Sequence, residues 1–249
     1  LPDGGSVNPL ALSRGLARAA IAAGACIHGG SPAISVSRDG GLWTMRTPQG
    51  SVRSRVLLVC AGAYGSGPFA DLARQGVAAC SAVVATDPLP DRGRSILHGG
   101  GPMIDTDDPA VFGPLIDAEG RLVVSLLAEA GRLDLAAAER IIRPRLHRAF
   151  PQLGAVPFTR IWAGRFLLTS EGAPRLVRLG PNGYAALGCN GLGHTLAISA
   201  AHELARLVLG EPTERLAVPV VDRGPSGSNA LMGGLLRHLI APLANRLGA

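Results

Sequence analysis

Tyr184-Ala-Ala-Leu-Gly188-Cys-Asn-Gly191-Leu-Gly193-His-Thr-Leu-Ala-Ile-Ser-Ala-Ala-His-Glu-Leu-Ala-Arg-Leu-Val-Leu209 encodes a strand, a tight turn and an amphipathic helix, in that order. A short apolar run opens it and three glycines crowd the turn. Leu196, Ala197, Ala200, Ala201, Leu204, Leu207 and Val208 then recur at helical spacing. Gly210 stands where a C′ residue is expected and Pro212 follows, so the helix has a marked end. A glycine-rich turn feeding a helix leaves backbone N–H groups unpaired and aims the positive end of the helix dipole at whatever lies above it. The guest such a turn suits is an anion, or a ring whose carbonyl gains negative charge. The order Gly-x-x-Gly-x-Gly is not the dinucleotide fingerprint Gly-x-Gly-x-x-Gly, and no acidic residue follows on a strand at the required distance. The turn alone therefore leaves open a ligand-free close-packed turn and an anion-binding α/β domain of another kind.

Working outward, Asn8-Pro9 opens a helix with a cap and a proline at its first position. Leu12, Leu16, Ala19, Ala20 and Ala23 give it a small-residue face expected to pack tightly before Gly24. Ala25 to His28 and Ala33 to Arg38 read as strands, and Asp39-Gly-Gly turns the chain into Leu42 to Thr47. Pro48-Gln-Gly50 leads to Ser51 to Arg55 and on to Val56-Leu-Leu-Val-Cys60. That run is apolar on both faces and is expected inside a sheet covered on both sides. It ends in the small-residue turn Ala61-Gly62-Ala63.

From Gly76 the character changes. Val77 to Thr86 is an apolar strand, Asp87-Pro-Leu-Pro-Asp91 a break, and Gly99-Gly-Gly-Pro102 a loop. Val111 to Ile116 and Arg121 to Ser125 form a hairpin. Asp134 caps a helix to Arg148 that Pro144 must bend or interrupt. Pro157 to Ala163 and Arg175 to Leu179 add strands. Beyond Leu209 come the linker-like Gly224-Pro-Ser-Gly-Ser228 and an amphipathic helix within Leu231 to Leu247.

Composition narrows the classes. With 249 residues, 47% of them hydrophobic, the chain can bury a core. Its net charge of +6 rests on 24 basic residues, all Arg, scattered among few aromatics and without a basic run, which argues against nucleic acid. The four cysteines, Cys26, Cys60, Cys80 and Cys189, form no C-x-x-C and read as buried free thiols in a reducing cytoplasm. No apolar stretch reaches a membrane span, and no signal peptide is expected. His202-Glu203 begins like H-E-x-x-H, but Arg206 closes it, and no two histidines lie three or four apart; no metal is expected. There is no G-x-S-x-G elbow.

The run Ala186 to Ala197, with Trp162-Ala-Gly164, Thr169 and Pro174 before it, resembles the C-terminal half of the D-amino-acid-oxidase and glycine-oxidase family of FAD-dependent oxidoreductases, nearest its γ-glutamylputrescine-oxidoreductase-like branch. The resemblance implies an α/β (α+β) fold: an incomplete, Rossmann-like FAD-binding domain with an inserted antiparallel substrate domain. The parts would be 1–75 (second part of the FAD domain), 76–180 (substrate roof), 181–222 (flavin-ring turn and helix) and 223–249 (linker and terminal helix). It implies noncovalent FAD, touched by Ala33 at the adenine end, by Gly62 at a close approach, and by Gly188, Cys189, Asn190, Gly191, Leu192, Gly193, His194 and Thr195 along the pyrimidine side of the ring. There, main-chain donors would stabilise charge on reduced flavin. His194 is expected to pack or cap rather than to act chemically.

Trp162 and Phe166 are the candidates for the substrate wall, and no general base is identified. Glycine-oxidase-like members carry a carboxylate-binding Arg where this chain has Phe166, and another where it has Gly191. The departures favour a small-molecule amine whose carboxylate is distant or absent. The stretch with Gly-x-Gly-x-x-Gly that would hold the FAD pyrophosphate does not occur in these residues. A missing N-terminal segment or a partner subunit is therefore expected, and the alternative is a non-catalytic fragment that cannot hold FAD alone.

Overall fold

The computed structural model describes residues 7–97, 113–128 and 134–224. The loop at 99–102, the linker and the helix expected within 231–247 lie outside them. Two compact units emerge, and unit 1, in its described part, is an insertion running from Ala79 to Arg165 into unit 2, which comprises Val7–Ala78 and Phe166 onward. These divisions fall at 78/79 and 165/166. The strand at Arg175–Gly180, read from sequence as roof, hydrogen-bonds inside the sheet of unit 2.

Unit 2 begins with α1 (Pro9–Ala22), capped by Asn8 Oδ1, which accepts from Ala11 N at 3.0 Å. The cap and the Gly24 stop at φ +94° match the sequence reading. The packing does not: α1 buries no residue, and Leu10, Leu16 and Ile21 are each more than half exposed. No strand forms over Ala25–His28. A meander follows, β1 (Ser35–Asp39), β2 (Leu42–Thr47) and β3 (Gly50–Ser54), antiparallel throughout.

The second sheet of unit 2 contains β4 (Leu57–Val59), β9 (Arg175–Gly180), β10 (Gly183–Leu187) and β11 (Val220–Asp222), in the order β11-β9-β10-β4. Its outer pairs are parallel and its central pair antiparallel. On one face Trp43 packs with Leu57, Val59, Val177, Ala185 and Leu187. The indole lies so close over Gly183 that a Cβ there would clash, and its Nε1 donates to Pro181 O at 3.1 Å. On the other face α4 (Ile198–Val208) buries Leu204 against Leu176 and Val218. Glu203 fastens that helix, accepting from Ala217 N at 2.9 Å and pairing with Arg206 at 3.0 Å. The double-covered strand expected at 56–60 is an edge strand instead. Leu57 and Val59 are buried, but Leu58 remains 44% exposed, because α4 lies over β9 and β10.

The sheet of unit 1 has the order β6-β7-β5-β8, from β5 (Val77–Pro88), β6 (Gly113–Ile116), β7 (Arg121–Ala128) and β8 (Phe158–Leu168). A short α2 (Asp91–Ile96) follows β5, and α3 (Leu135–Ala149) lays Ala138, Ile142 and Leu146 on Val84, Leu122, Val124 and Leu126. Asp134 caps α3 through Ala137 N at 2.7 Å, and the helix runs through Pro144 without interruption, contrary to the break the sequence allowed. Pro88 cannot donate to the ladder, and the β5/β7 register slips between Ala85 and Pro88. There the buried Thr86 hydroxyl accepts from Leu122 N at 3.0 Å, and so supplies an acceptor at the defect.

Candidate functional site

Ligands of parallel α/β sheets sit beyond the carboxyl ends of the strands. β4 and β10 are parallel and in register, with Val59 opposite Ala185. The loops leaving them therefore emerge at the same sheet edge: Gly62 three residues past Val59, Gly188 three past Ala185. Topology thus brings together two of the predicted cofactor positions. Gly62 takes φ +53° and opens a 3-10 turn over Gly62–Tyr64 with open space on its Cβ side. Half-buried Ala33 sits close by in the same unit's loops, its carbonyl 3.0 Å from where a Gly67 Cβ would stand.

The turn after β10 is held in left-handed backbone at three of four successive positions, Gly188 (φ +80°), Asn190 (φ +51°) and Gly191 (φ +82°). Glycine is required at 188 for a second reason, since a Cβ would run into Thr169 Cγ2. At Gly191 the missing side chain faces the Phe166 ring, whose nearest carbon lies 3.6 Å from the ideal Cβ position. Phe166 is therefore brought to the turn. Trp162 lies in unit 1, 49% exposed on β8.

Within the turn, Asn190 N donates to Leu167 O, Leu192 N to Cys189 O, Thr195 N to Leu192 O and Leu196 N to Leu192 O, at 2.8 to 3.2 Å. Thr195 Oγ1 also donates to Leu192 O at 3.2 Å. The N–H groups of Leu192 and Thr195, two of the residues expected along the ring, are thus used internally. The N–H groups of Gly191, Gly193 and His194 find no acceptor among the described residues. They sit where the chain enters a π-helical turn, Gly193–Ala197, that runs straight into α4. A π turn is the difference from the plain α-helix that the periodicity predicts, and such turns recur at functional sites.

His194 is exposed and makes no cap, so the packing or capping role expected for it is not found. Cys189 is half-buried, Cys26 and Cys60 are exposed, and only Cys80 is a buried thiol as the sequence suggested for all four.

Sequence reasoning passed over the way Asn190 and Thr169 lock together. Asn190 Oδ1 accepts from Thr169 N at 2.9 Å and its Nδ2 donates to Gly188 O at 2.5 Å. The signal was present in Asn190-Gly191, a dipeptide that favours left-handed backbone. A separate groove of about 590 Å³ in unit 1, lined by Pro88, Leu89, Ile96, Leu153 and Pro157, contains no predicted site residue. Its carboxylate, Asp87, is already paired with Arg160 at 3.0 Å. Among the described residues no cluster of His, Cys, Asp or Glu could hold a metal ion, and no helix is long and apolar enough to cross a membrane.

Residues 1–207 match the family model of the DAO family, described as FAD dependent oxidoreductase. The chain belongs to this family. Over 211 residues it is 29% identical to γ-glutamylputrescine oxidoreductase of Escherichia coli, an alignment covering 84% of this chain and 49% of that protein. Iminodiacetate oxidase from Chelativorans sp. BNC1 shares its fold with a TM-score of 0.65 and 20% identity, over 86% of this chain and 58% of the other. Glycine oxidase from Geobacillus kaustophilus does so with a TM-score of 0.64 and 17% identity, over 81% and 54%. The mixed α/β architecture with antiparallel sheets is that of DAO-family flavoenzymes. The chain spans about half the length of the curated relatives it matches.

Proposed function

We propose that this chain forms the flavin-ring end and the substrate side of an FAD-dependent oxidoreductase acting on the C–N bond of an amine or amino acid. One observation carries the reading: the N–H groups of Gly191, Gly193 and His194 stand without acceptors among the described residues, at the carboxyl edge of a parallel strand pair. A ring that accumulates negative charge suits such preorganised donors, which cost no reorganisation when the charge appears. FAD, when bound, would supply the acceptor for a substrate hydride, and the imine left behind would hydrolyse in water.

The chain's own residues do the rest. Gly188 and Gly191 let the turn close onto Thr169 and Phe166, and Gly62 and Ala33 would lie along the cofactor. Unit 2, which contains Phe166, would form the cofactor domain, and unit 1, which contains Trp162, would be the substrate domain; these two aromatics are the candidates for substrate contact. Neither Phe166 nor Gly191 has a guanidinium to pair with a carboxylate, which favours an amine whose carboxylate is remote or absent. The test is direct: purify the chain, titrate FAD, and look for quenched flavin fluorescence and amine-dependent bleaching of the bound flavin. Binding followed by bleaching with amines supports the reading; bleaching only with unrelated donors such as 2-hydroxy acids sinks it.

A second reading is favoured by the bare apolar surface of α1 and β4. Leu10, Leu16, Ile21 and Leu58 are all exposed, and the sequence has no pyrophosphate fingerprint. On this reading a further segment of the same protein, or a partner subunit, completes the FAD site, and the chain alone holds the cofactor weakly or not at all. Flavin retained only after co-expression with a dinucleotide-binding segment would select it.

A further inference from the structure

We propose that Asn190 is a positioning residue, which holds the turn in the one backbone arrangement that turns its N–H groups outward. This rests on the flavin reading above. Among the described residues only Asn182 and Asn190 are non-glycine residues at positive φ, and they differ in how they are used. Asn182 turns the chain between β9 and β10, and no hydrogen bond of its side chain is recorded among the described residues. Asn190 uses all of its side chain. Its Oδ1 accepts from Thr169 N at 2.9 Å, and its Nδ2 donates to Gly188 O at 2.5 Å and to Thr169 Oγ1 at 3.2 Å. Thr169, 8% exposed, is anchored in turn by its hydroxyl, which donates to Ala173 O at 2.7 Å. Asn190 N completes the attachment by donating to Leu167 O at 3.1 Å.

The consequence is electrostatic as well as mechanical. Left-handed backbone costs the two glycines little, but a non-glycine residue such as Asn190 keeps it only when its surroundings over-determine it. The amide does this by bridging the start of the turn to the end of β8. It also occupies the Gly188 carbonyl, an acceptor that would repel negative charge if it were free to swing outward. The N–H groups of Gly191, Gly193 and His194 are left without an acceptor among the described residues.

The experiment compares the wild-type chain with Asn190→Gly, Asn190→Asp and Thr169→Val. Asn190→Gly tolerates positive φ and loses only the clamp. Asn190→Asp keeps an acceptor for Thr169 N but sets a carboxylate oxygen against Gly188 O. Melting curves and far-UV circular dichroism show that each variant folds. Amide hydrogen exchange is read without cofactor at Leu192, Thr195 and Leu196, whose N–H groups are bonded inside the turn. FAD titration then gives affinity, and the bound flavin's midpoint potential is measured.

The expected result for Asn190→Gly is at least tenfold faster exchange at those amides, unchanged exchange in β9 and β10, and a midpoint potential lower by about 30 mV. That shift is a tenfold loss of preference for the reduced ring in a two-electron couple. Asn190→Asp should lower the potential further, and Thr169→Val should act in the same direction but less. If wild type binds flavin and Asn190→Gly leaves exchange and potential where they were, the positioning role is overturned while the functional reading stands. Faster exchange with unchanged potential and affinity overturns it too, since Asn190 would then be merely structural. A wild-type chain that binds no flavin, alone or co-expressed with a dinucleotide-binding segment, overturns both.

Discussion

At the scale of single residues, the turn after β10 is defined by what its neighbours leave no room for. Gly188 combines a positive φ with a blocked Cβ direction, and the blocking group, Thr169 Cγ2, cannot rotate away while its hydroxyl is bonded to Ala173 O. Gly188→Ala should therefore cost about 2 kcal/mol of stability, within the range for strain at a special backbone position. Chemical denaturation of the two proteins measures it. By contrast Gly193→Ala, at a position with open space and no positive φ, should leave stability within about 0.5 kcal/mol of wild type. Both substitutions should weaken flavin binding if the ring lies against these residues, so stability and affinity separate the two effects.

At the scale of elements, α4 shows how a buried carboxylate can fasten a helix. Glu203 is 7% exposed, and the Ala217 N–H that donates to it, ahead of the Arg206 partner, holds its carboxyl below the usual glutamate range. A group whose folded pKa is depressed lends stability that is fully present at neutral pH and lost as pH falls through the lowered value. Glu203→Gln should lower the melting temperature at pH 7 and flatten its fall on acidification, as thermal melts across pH would record. The helix itself is readable from sequence, because Ala200, Leu204 and Leu207 fall on one face and Gly210 ends it. Its π-helical entry is not, since Gly193–Ala197 keep a helical pattern whichever carbonyl each N–H finds.

The same contrast runs through the rest of the chain. α1, the meander, the β6/β7 hairpin and the Asp134 cap are set by local chemistry and stand in the sequence. The strand expected at Ala25–His28 does not form because no ladder among the described residues meets it. Leu58 is bare because the element that a doubly apolar run anticipates is not among the described residues. The candidate site is legible as far as its glycines. The Asn190–Thr169 clamp joins residues 21 positions apart and needs the fold to be seen.

At the scale of the whole molecule, burial is unevenly distributed. Among the described residues, unit 1 has Ile142, Leu122 and Val124 fully buried around α3 and one exposed large hydrophobic, Trp162, whereas most exposed large hydrophobics lie in unit 2, at α1, Leu58, Leu192 and Leu209 among others. Ile142→Ala should cost about 2–5 kcal/mol in denaturant melts. Leu16→Ser on α1 should change stability by less than about 0.5 kcal/mol. If a completing segment covers α1, Leu16→Ser should instead weaken assembly with it, which co-purification would register.

The parallel pairing of β4 with β10 carries a consequence for synthesis. Its two halves are separated in the chain by all of unit 1, and loop closure of that length has to be met before the pairing rewards it. On the ribosome the insertion can therefore mature while β4 is still waiting. The edge that would receive a cofactor comes into being only once Gly183–Leu187 have emerged.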